Sequence, residues 1–481
     1  MSEKDGNHPD RATGKLQTVI VAVLFFVFAL NLLYIWHITE PGDMKFRDGP
    51  SYIKMALQFQ HHGNFDGYSF RTPGYPLFLI PFFDGHDALR LKLLTFAQTM
   101  LLIAAGAFFY LGLVRLSGFN RILSALIAAI TCSQFQLAAT AQLVATEVPA
   151  FFLITLLVFV FLCAAKKETN ILLFVLAGLL CGFLALVRPQ FYWVVAVLFL
   201  VTLCKKHWKG GLAFVLVAFI IQGGWVVRNQ IKYQLPYPSS SVTHGIIKHL
   251  ARGELYRHAD YGKNANPFLV ELLMTSDPDV NRFHRFNIID RLANQATGAE
   301  SSVYHEDSRK VAYLKNALAS AISTPQGARI FFSQVLSGAY RTLGTRTGWF
   351  ETKAVISTMK HHIAYYIPAK EWIQDPFDRY NPWMFAVAAV VALCLIIAAG
   401  IGAPANKMDV FHMAVLVLLI GLNAIIAPMA DVPLNGRYGI GVVALYPWLY
   451  MIEARMIWKW IGPLARKYDR PIGSAVRIKD K

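Results

Sequence analysis

Two carboxylates and four arginines carry the chemistry that this sequence places most conspicuously. Asp48 stands in "FRDGPSYIKMA" and Glu147 in "LVATEVPAFF". Arg71 opens "RTPGYPLF", and Arg188, Arg228 and Arg437 lie close to the ends of apolar runs. A positioned carboxylate can move a proton to or from a reacting group. A guanidinium matches phosphate oxygens in a bidentate fork. Brought together, these residue types make an acid/base and phosphate-holding constellation. Each also has a plainer role. Pro50 and Pro149 suit first helical turns, so both acids can be helix caps, and a lone arginine at a span end can snorkel. What raises them above those roles is that all six fall on one side of a membrane.

The membrane follows from composition. Of 481 residues, 55% are hydrophobic and only 16% charged, against about 25% charged in a soluble domain. Apolar runs long enough for a bilayer recur along most of the chain. The pattern predicts an all-α polytopic protein with about ten spans: Leu16–Trp36, Leu93–Leu113, Ile122–Ala139, Val148–Ala165, Ile171–Val187, Phe191–Cys204, Leu212–Val227, Trp383–Ile401, Val410–Pro428 and Gly439–Trp460. The basic stretches "VRLSGFNR", "KKETN", "KKHWKGG", "NKMD" and "KWIGPLARKYDR" alternate with the other loops and belong inside, which puts both termini in the cytoplasm. The loops 38–92, 140–147, 188–190, 229–382 and 429–438 then face outward. The first span lacks a small-residue cleavage site and is expected to stay as an anchor. Three units result: residues 1–228 as a transmembrane catalytic module, 229–382 as an extracytoplasmic domain, and 383–481 as closing helices with a basic tail.

The net charge of +17 is read mainly as topogenic, with anionic lipids and not nucleic acid as its partner. The five cysteines, Cys132, Cys163, Cys181, Cys204 and Cys394, lie in or at the ends of spans, so no disulfide framework is expected outside. No Walker loop, dinucleotide fingerprint, HExxH or CxxC occurs, and the inner loops are too short for a nucleotide-binding domain. Any substrate is met at the outer face or within the bilayer. Around Asp48, the spacing of Tyr52, Met55, Ala56 and Phe59 predicts a short amphipathic helix lying on the membrane surface, with Asp48 at its positive end. Glu147 borders hydrocarbon, where an acid by default suggests function.

In order and sidedness, these segments resemble the C-type integral-membrane glycosyltransferases, in the bacterial branch similar to protein mannosyltransferases and the lipid A aminoarabinose transferase. The matching elements are "RDGPSYIKMA", "RTPGYPLFL", "TEVPAFF", "GLLCGFLALVRP", "GGWVVRNQ" and "NGRYGIGVVALYP". They cover roughly the first half and the last tenth of the chain. Three positions depart from the family pattern: Gly224, where a proline commonly precedes the tryptophan; Gly439, where a basic residue is often found; and Thr146, where some members carry a second acid.

The resemblance implies transfer of a hexosyl or pentosyl group from a polyprenyl phosphate to a hydroxyl of an envelope glycan, lipid or protein. The reaction would occur at the outer face of a bacterial inner membrane, with inversion. By the same analogy Asp48 is the general base, Glu147 orients the acceptor, the sugar or a metal, and Arg71, Arg188, Arg228 and Arg437 hold the departing phosphate. Tyr52, Tyr75, Asn229 and Tyr438 stand beside them as substrate-positioning residues. No metal set is assigned. Asp66, Asp84, Asp87, His61, His62 and His86 match no ligand spacing, and Thr146 in place of a second acid argues against a bound ion.

The segment 229–382 carries no readable motif. Phe332, Val335, Leu336, Ala339 and Leu343 predict one apolar helical face within it, for an interfacial helix or for one packed in a small domain. The competing functional class is a transporter or flippase of a lipid-linked glycan. It should show paired half-repeats or broken helices and charges deeper in the membrane.

Overall fold

The computed structural model describes residues 10–38, 49–66, 71–83, 88–166, 170–204, 207–239, 242–251, 254–275, 282–298, 308–343, 375–400, 407–430 and 445–468. Asp48, Arg437 and Tyr438 lie outside the described residues, as do Asp84, His86 and Asp87. Among those described, every regular element is a helix, as the sequence predicts.

The amino-terminal helices run α1 Asp10–Ile38, α2 Gly49–His62, α3 Gly74–Leu79, α4 Ala88–Leu111, α5 Arg121–Cys132, α6 Phe135–Thr140, α7 Glu147–Lys166, α8 Ile171–Val187, α9 Val194–Cys204 and α10 Trp208–Tyr233. Local chemistry sets several of the boundaries. Asn120 caps α5, its side-chain oxygen accepting from the amides of Ile122 and Leu123. Pro149 sits in the first turn of α7, where its missing N–H costs no helical bond. Gln234 takes a left-handed conformation (φ 53°) and ends α10.

Five helices, α11 Val242–Leu250, α12 Pro267–Met274, α13 Arg282–Thr297, α14 Ser308–Ser323 and α15 Pro325–Leu343, follow. The chain closes with α16 Asp375–Gly400, α17 Lys407–Ala430 and α18 Leu445–Tyr468.

Two apolar cores result. The larger draws on α1 to α10 and on α16 to α18, so the closing helices complete the amino-terminal bundle. The smaller is built by α11 to α14, from residues such as Ile247, Leu250, Ile289, Leu292, Leu314 and Ala317. α15 joins the two. His249 of α11 meets Gln334 at 3.0 Å and the ring of Phe331, while α15 packs along α17 and α16.

Within the described residues the expected spans are found as helices, the third of them in two pieces. Among the described residues, four are long and apolar enough to cross a membrane: Gly14–Ile38, Leu89–Leu116, Glu147–Lys166 and Trp208–Tyr233. Arg121–Cys132, Ile171–Val187 and Pro189–Leu203 are apolar but shorter, while α16 and α17 run to 26 and 24 residues and contain the apolar stretches Met384–Ile397 and Asp409–Ala424. The expected third span breaks after Cys132, and at about 1.5 Å per residue α5 alone covers well under the ~30 Å of a hydrocarbon core.

The apolar face expected on α15 is also divided. Val335 is buried, but Phe332 and Leu336 are 60% and 70% exposed. The helix leans on neighbours on two sides, so it turns Phe331, Gln334 and Val335 inward and leaves the next ridge out.

Candidate active site

The helix ends around Glu147 assemble the described part of the constellation. The base of the 38–92 loop is pinned first. Trp36 donates its indole N–H to the carbonyl of Lys92 at 3.1 Å, and the Lys92 ammonium returns bonds to the carbonyls of Trp36 and His37. Within that loop, α3 docks on the last turn of α8. A Cβ on Gly74 would come within 2.6 to 2.7 Å of the Leu186 carbonyl group and the Val187 nitrogen. Only glycine permits that approach. It brings "RTPGYP" against "LVRP".

Glu147 begins α7 and Arg188 follows the last residue of α8, so two antiparallel helices present opposite charges at one end. Glu147 Oε1 and Arg188 Nη1 lie 3.4 Å apart with side chains only 4% and 5% exposed. Each charge also faces the favourable pole of its own helix, the anion at an N-terminus and the cation at a C-terminus. A pair this dry needs both members, because either one alone would be an uncompensated buried charge.

A line of side chains extends from this pair into the first loop. Tyr75 is fully buried beside it. Its hydroxyl is held far above the usual phenol range, first by burial and then by the neighbouring Tyr52 and the negative charge of Glu147. Tyr75 therefore serves as a hydrogen-bond donor, and it donates to Gln98 Oε1 at 3.0 Å. Tyr52 packs edge-to-face on Tyr75 with ring centres 5.1 Å apart, and the Arg71 guanidinium covers the Tyr52 ring at 4.9 Å. Arg71 Nε donates to Ser51 Oγ at 3.3 Å.

Arg228 belongs to a second group. Its guanidinium donates to the Phe65 carbonyl, to the Tyr233 hydroxyl at 3.3 Å and to Asn229 Oδ1 at 2.9 Å. It also covers the Trp225 ring at 4.4 Å. Asp66 lies 3.8 Å from it and pairs with Lys232. Asn229 is buried and donates to the carbonyl of Tyr237 at 2.9 Å, while Trp225 donates to that of Pro238 at 2.8 Å. The "GGWVVRNQ" motif thus ties the loop after α2 and the chain after α10 to one helix end. Of the expected residues, the structure brings together Glu147, Arg188, Tyr75, Tyr52 and Arg71, and it places Arg228 and Asn229 in this neighbouring cluster.

Three polar residues at this end were not singled out in the sequence. Gln98, in α4, receives the Tyr75 hydroxyl; Gln190 donates to Asn423 Oδ1 at 3.3 Å, tying α17 to the residues after Arg188. A glutamine or asparagine inside an apolar span is the signal that marks such positions. Among the described residues, no group of three or more His, Cys, Asp or Glu side chains is arranged to hold a metal ion.

No protein-family model matches the sequence, and no curated protein matches it. Among solved structures, the chain is similar to ArnT from Cupriavidus metallidurans bound to undecaprenyl phosphate, at 14% identity and a TM-score of 0.34, over 94% of this chain and 80% of that one. It is also similar to the Archaeoglobus fulgidus oligosaccharyltransferase. The complex with zinc and sulfate gives 13% identity and a TM-score of 0.36 over 92% of this chain; the apo form gives 12% and 0.36 over 95%. In both cases the chain spans about half the oligosaccharyltransferase. Similarity at this level transfers neither fold nor activity, so the functional reading rests on the residues.

Proposed function

We propose that the chain is a membrane glycosyltransferase that moves a sugar from a polyprenyl phosphate to a hydroxyl of an envelope glycan, lipid or protein. The observation that carries this reading is the buried Glu147–Arg188 pair at 3.4 Å, with the Arg71–Tyr52–Tyr75 line leading into it. It stands on the same segments that resemble the C-type transferases. In the proposed step the acceptor oxygen attacks the anomeric carbon and its proton passes to Asp48. The bond from that carbon to the phosphate oxygen breaks, and the phosphate leaves with both electrons of the bond. A single displacement of this kind inverts the anomeric centre. A preorganised cation at the departing oxygen is worth far more in a dry site than in water, and Arg188 is the buried candidate, with Arg71 and Arg437 beside it in the proposal. Glu147 fixes Arg188 and borders the acceptor. Arg228, engaged with Phe65, Asn229 and Tyr233, holds the loop that shapes the donor side.

The site sits at helix ends and loops, which favours chemistry at an interface over a conduit through the bundle. The test is transfer from a labelled polyprenyl-phosphate sugar by the purified chain in lipid nanodiscs, native against Asp48→Asn. We expect the variant to bind donor and lose transfer by roughly 10²- to 10⁴-fold, the usual contribution of a general base. Native-rate transfer by Asp48→Asn would remove the base assignment. Leaflet-to-leaflet movement of the donor in proteoliposomes, without transfer, would favour a flippase.

A further inference from the structure

The amide of Gln98 is used in full. It is completely buried on α4; Oε1 accepts from the Tyr75 hydroxyl at 3.0 Å, and Nε2 donates to the carbonyls of Ala141 at 3.0 Å and Leu143 at 2.8 Å. The adjacent Thr99 hydroxyl accepts from Gln142 Nε2 at 3.2 Å. The stretch 141–144, three to six residues ahead of Glu147, is therefore tied to α4 by side-chain bonds from Gln98 and Thr99. From the other side the first turn of α2 presses on it, where a Cβ on Gly49 would lie 3.2 Å from the Cβ of Val144. Gln98 thus bonds both the loop carrying Tyr75 and the loop leading to Glu147.

We infer that Gln98 is a positioning residue for the transfer, acting through Tyr75 and residues 141–144 on the Glu147–Arg188 pair and on the first turn of α2. This inference rests on the transferase reading. Its physical basis is specificity. A leucine of similar volume would fill the same space, but only an amide offers one acceptor toward Tyr75 and two donors toward the loop. Buried and bonded at both ends of its amide, Gln98 fixes one geometry where apolar packing tolerates several. Displacing a catalytic group by an ångström can cost of order 10²-fold in rate.

The experiment uses the full chain in nanodiscs and two readouts. In the first, kcat and KM for a labelled undecaprenyl-phosphate sugar are compared in native protein, Gln98→Leu, Gln98→Glu and Tyr75→Phe. Gln98→Leu is expected to lower kcat by about 10²-fold while KM moves less than about three-fold. Gln98→Glu is expected to match it, because a carboxylate can accept from Tyr75 but cannot donate to two carbonyls. Tyr75→Phe keeps the Gln98 bonds to Ala141 and Leu143 and should lose less. The second readout is oxidative cross-linking in a Gly49→Cys/Val144→Cys background, followed by mass spectrometry. The cross-link should form more slowly when Gln98→Leu is added, and once formed it should restore most of the lost kcat. Native kcat in Gln98→Leu, or a cross-link that forms at the same rate and rescues nothing, would overturn the inference. If the native chain transfers no sugar while cross-linking still depends on Gln98, the positioning role stands and the transferase reading fails.

Discussion

Removing Arg188 should destabilise the protein by an amount set by the burial of its partner. At 3.4 Å and an effective dielectric of about 20, the ion pair is worth about 5 kcal/mol of attraction, and loss of one partner of a buried pair typically costs about 3–5 kcal/mol. In Arg188→Met the positive pole of α7 still favours the anion of Glu147 by up to about 1 kcal/mol, which lowers the penalty slightly. The expected deficit is therefore about 2–4 kcal/mol. Glu147→Gln leaves the guanidinium in the same surroundings, and a deficit of similar size is expected. The double variant Glu147→Gln/Arg188→Met removes both charges and should recover most of either loss. Equilibrium unfolding in mixed micelles, for native protein and the three variants, measures this. Single-variant deficits that are small and simply add in the double variant would mean that water reaches the pair, and the dry-site argument for phosphate departure would fail with it.

Three further outcomes follow from the same geometry. Gly74→Ala sets a methyl within 2.6 to 2.7 Å of backbone atoms of Leu186 and Val187, which cannot rotate away; a loss of about 1–3 kcal/mol in unfolding free energy and a matching fall in transfer are expected, and native-like values would refute the close docking of α3 on α8. Burial, then Tyr52 and Glu147, hold the Tyr75 hydroxyl protonated well beyond the ordinary range, so an ultraviolet titration from about pH 9 to 11 should show the same tyrosinate signal in native protein and in Tyr75→Phe; a signal lost in the variant would show that Tyr75 ionises normally. Phe332 and Leu336 are exposed on α15 beside two apolar helices, so Phe332→Trp should be quenched by lipids brominated near the headgroup end of the chains, and full access to an aqueous quencher with no lipid quenching would place α15 away from the bilayer.

The helices were legible because long apolar runs allow little else, and the boundaries of α7 and α8 follow from chemistry visible in the chain: Pro149 in a first turn, and Pro189 just past Val187. The third span was less legible. Hydropathy scores an apolar residue alike whether it faces lipid or a neighbouring helix, so α5 and α6 read as one run although Ser133 and Gln134 part them. Which part of the α15 face packs on protein was open for a related reason. Helical spacing identifies which residues share a ridge, but the partner decides which ridge is buried, and α17 lies in contact with α15 across a long gap in sequence.

Glu147 and Arg188 were individually visible as charges at span ends, yet their pairing was not, since forty residues separate them and only the antiparallel docking of α7 and α8 closes the distance. Gln98 shows the limit more sharply. In "LTFAQTM" it is one polar residue among apolar ones, and nothing nearby in sequence names its partners, which lie 23, 43 and 45 residues away. A residue whose role is to bond two loops to a helix has no local signature, because the information is in the loops' return and not in the spacing around it. Charges advertise themselves through the cost of burying them. A neutral amide costs far less to place in an apolar run, so its presence constrains sequence weakly while its three bonds constrain structure strongly. That asymmetry is why the acids and arginines could be nominated from the chain alone, and why the side chain that holds their loops in register emerges only once α4 lies against residues 141–144.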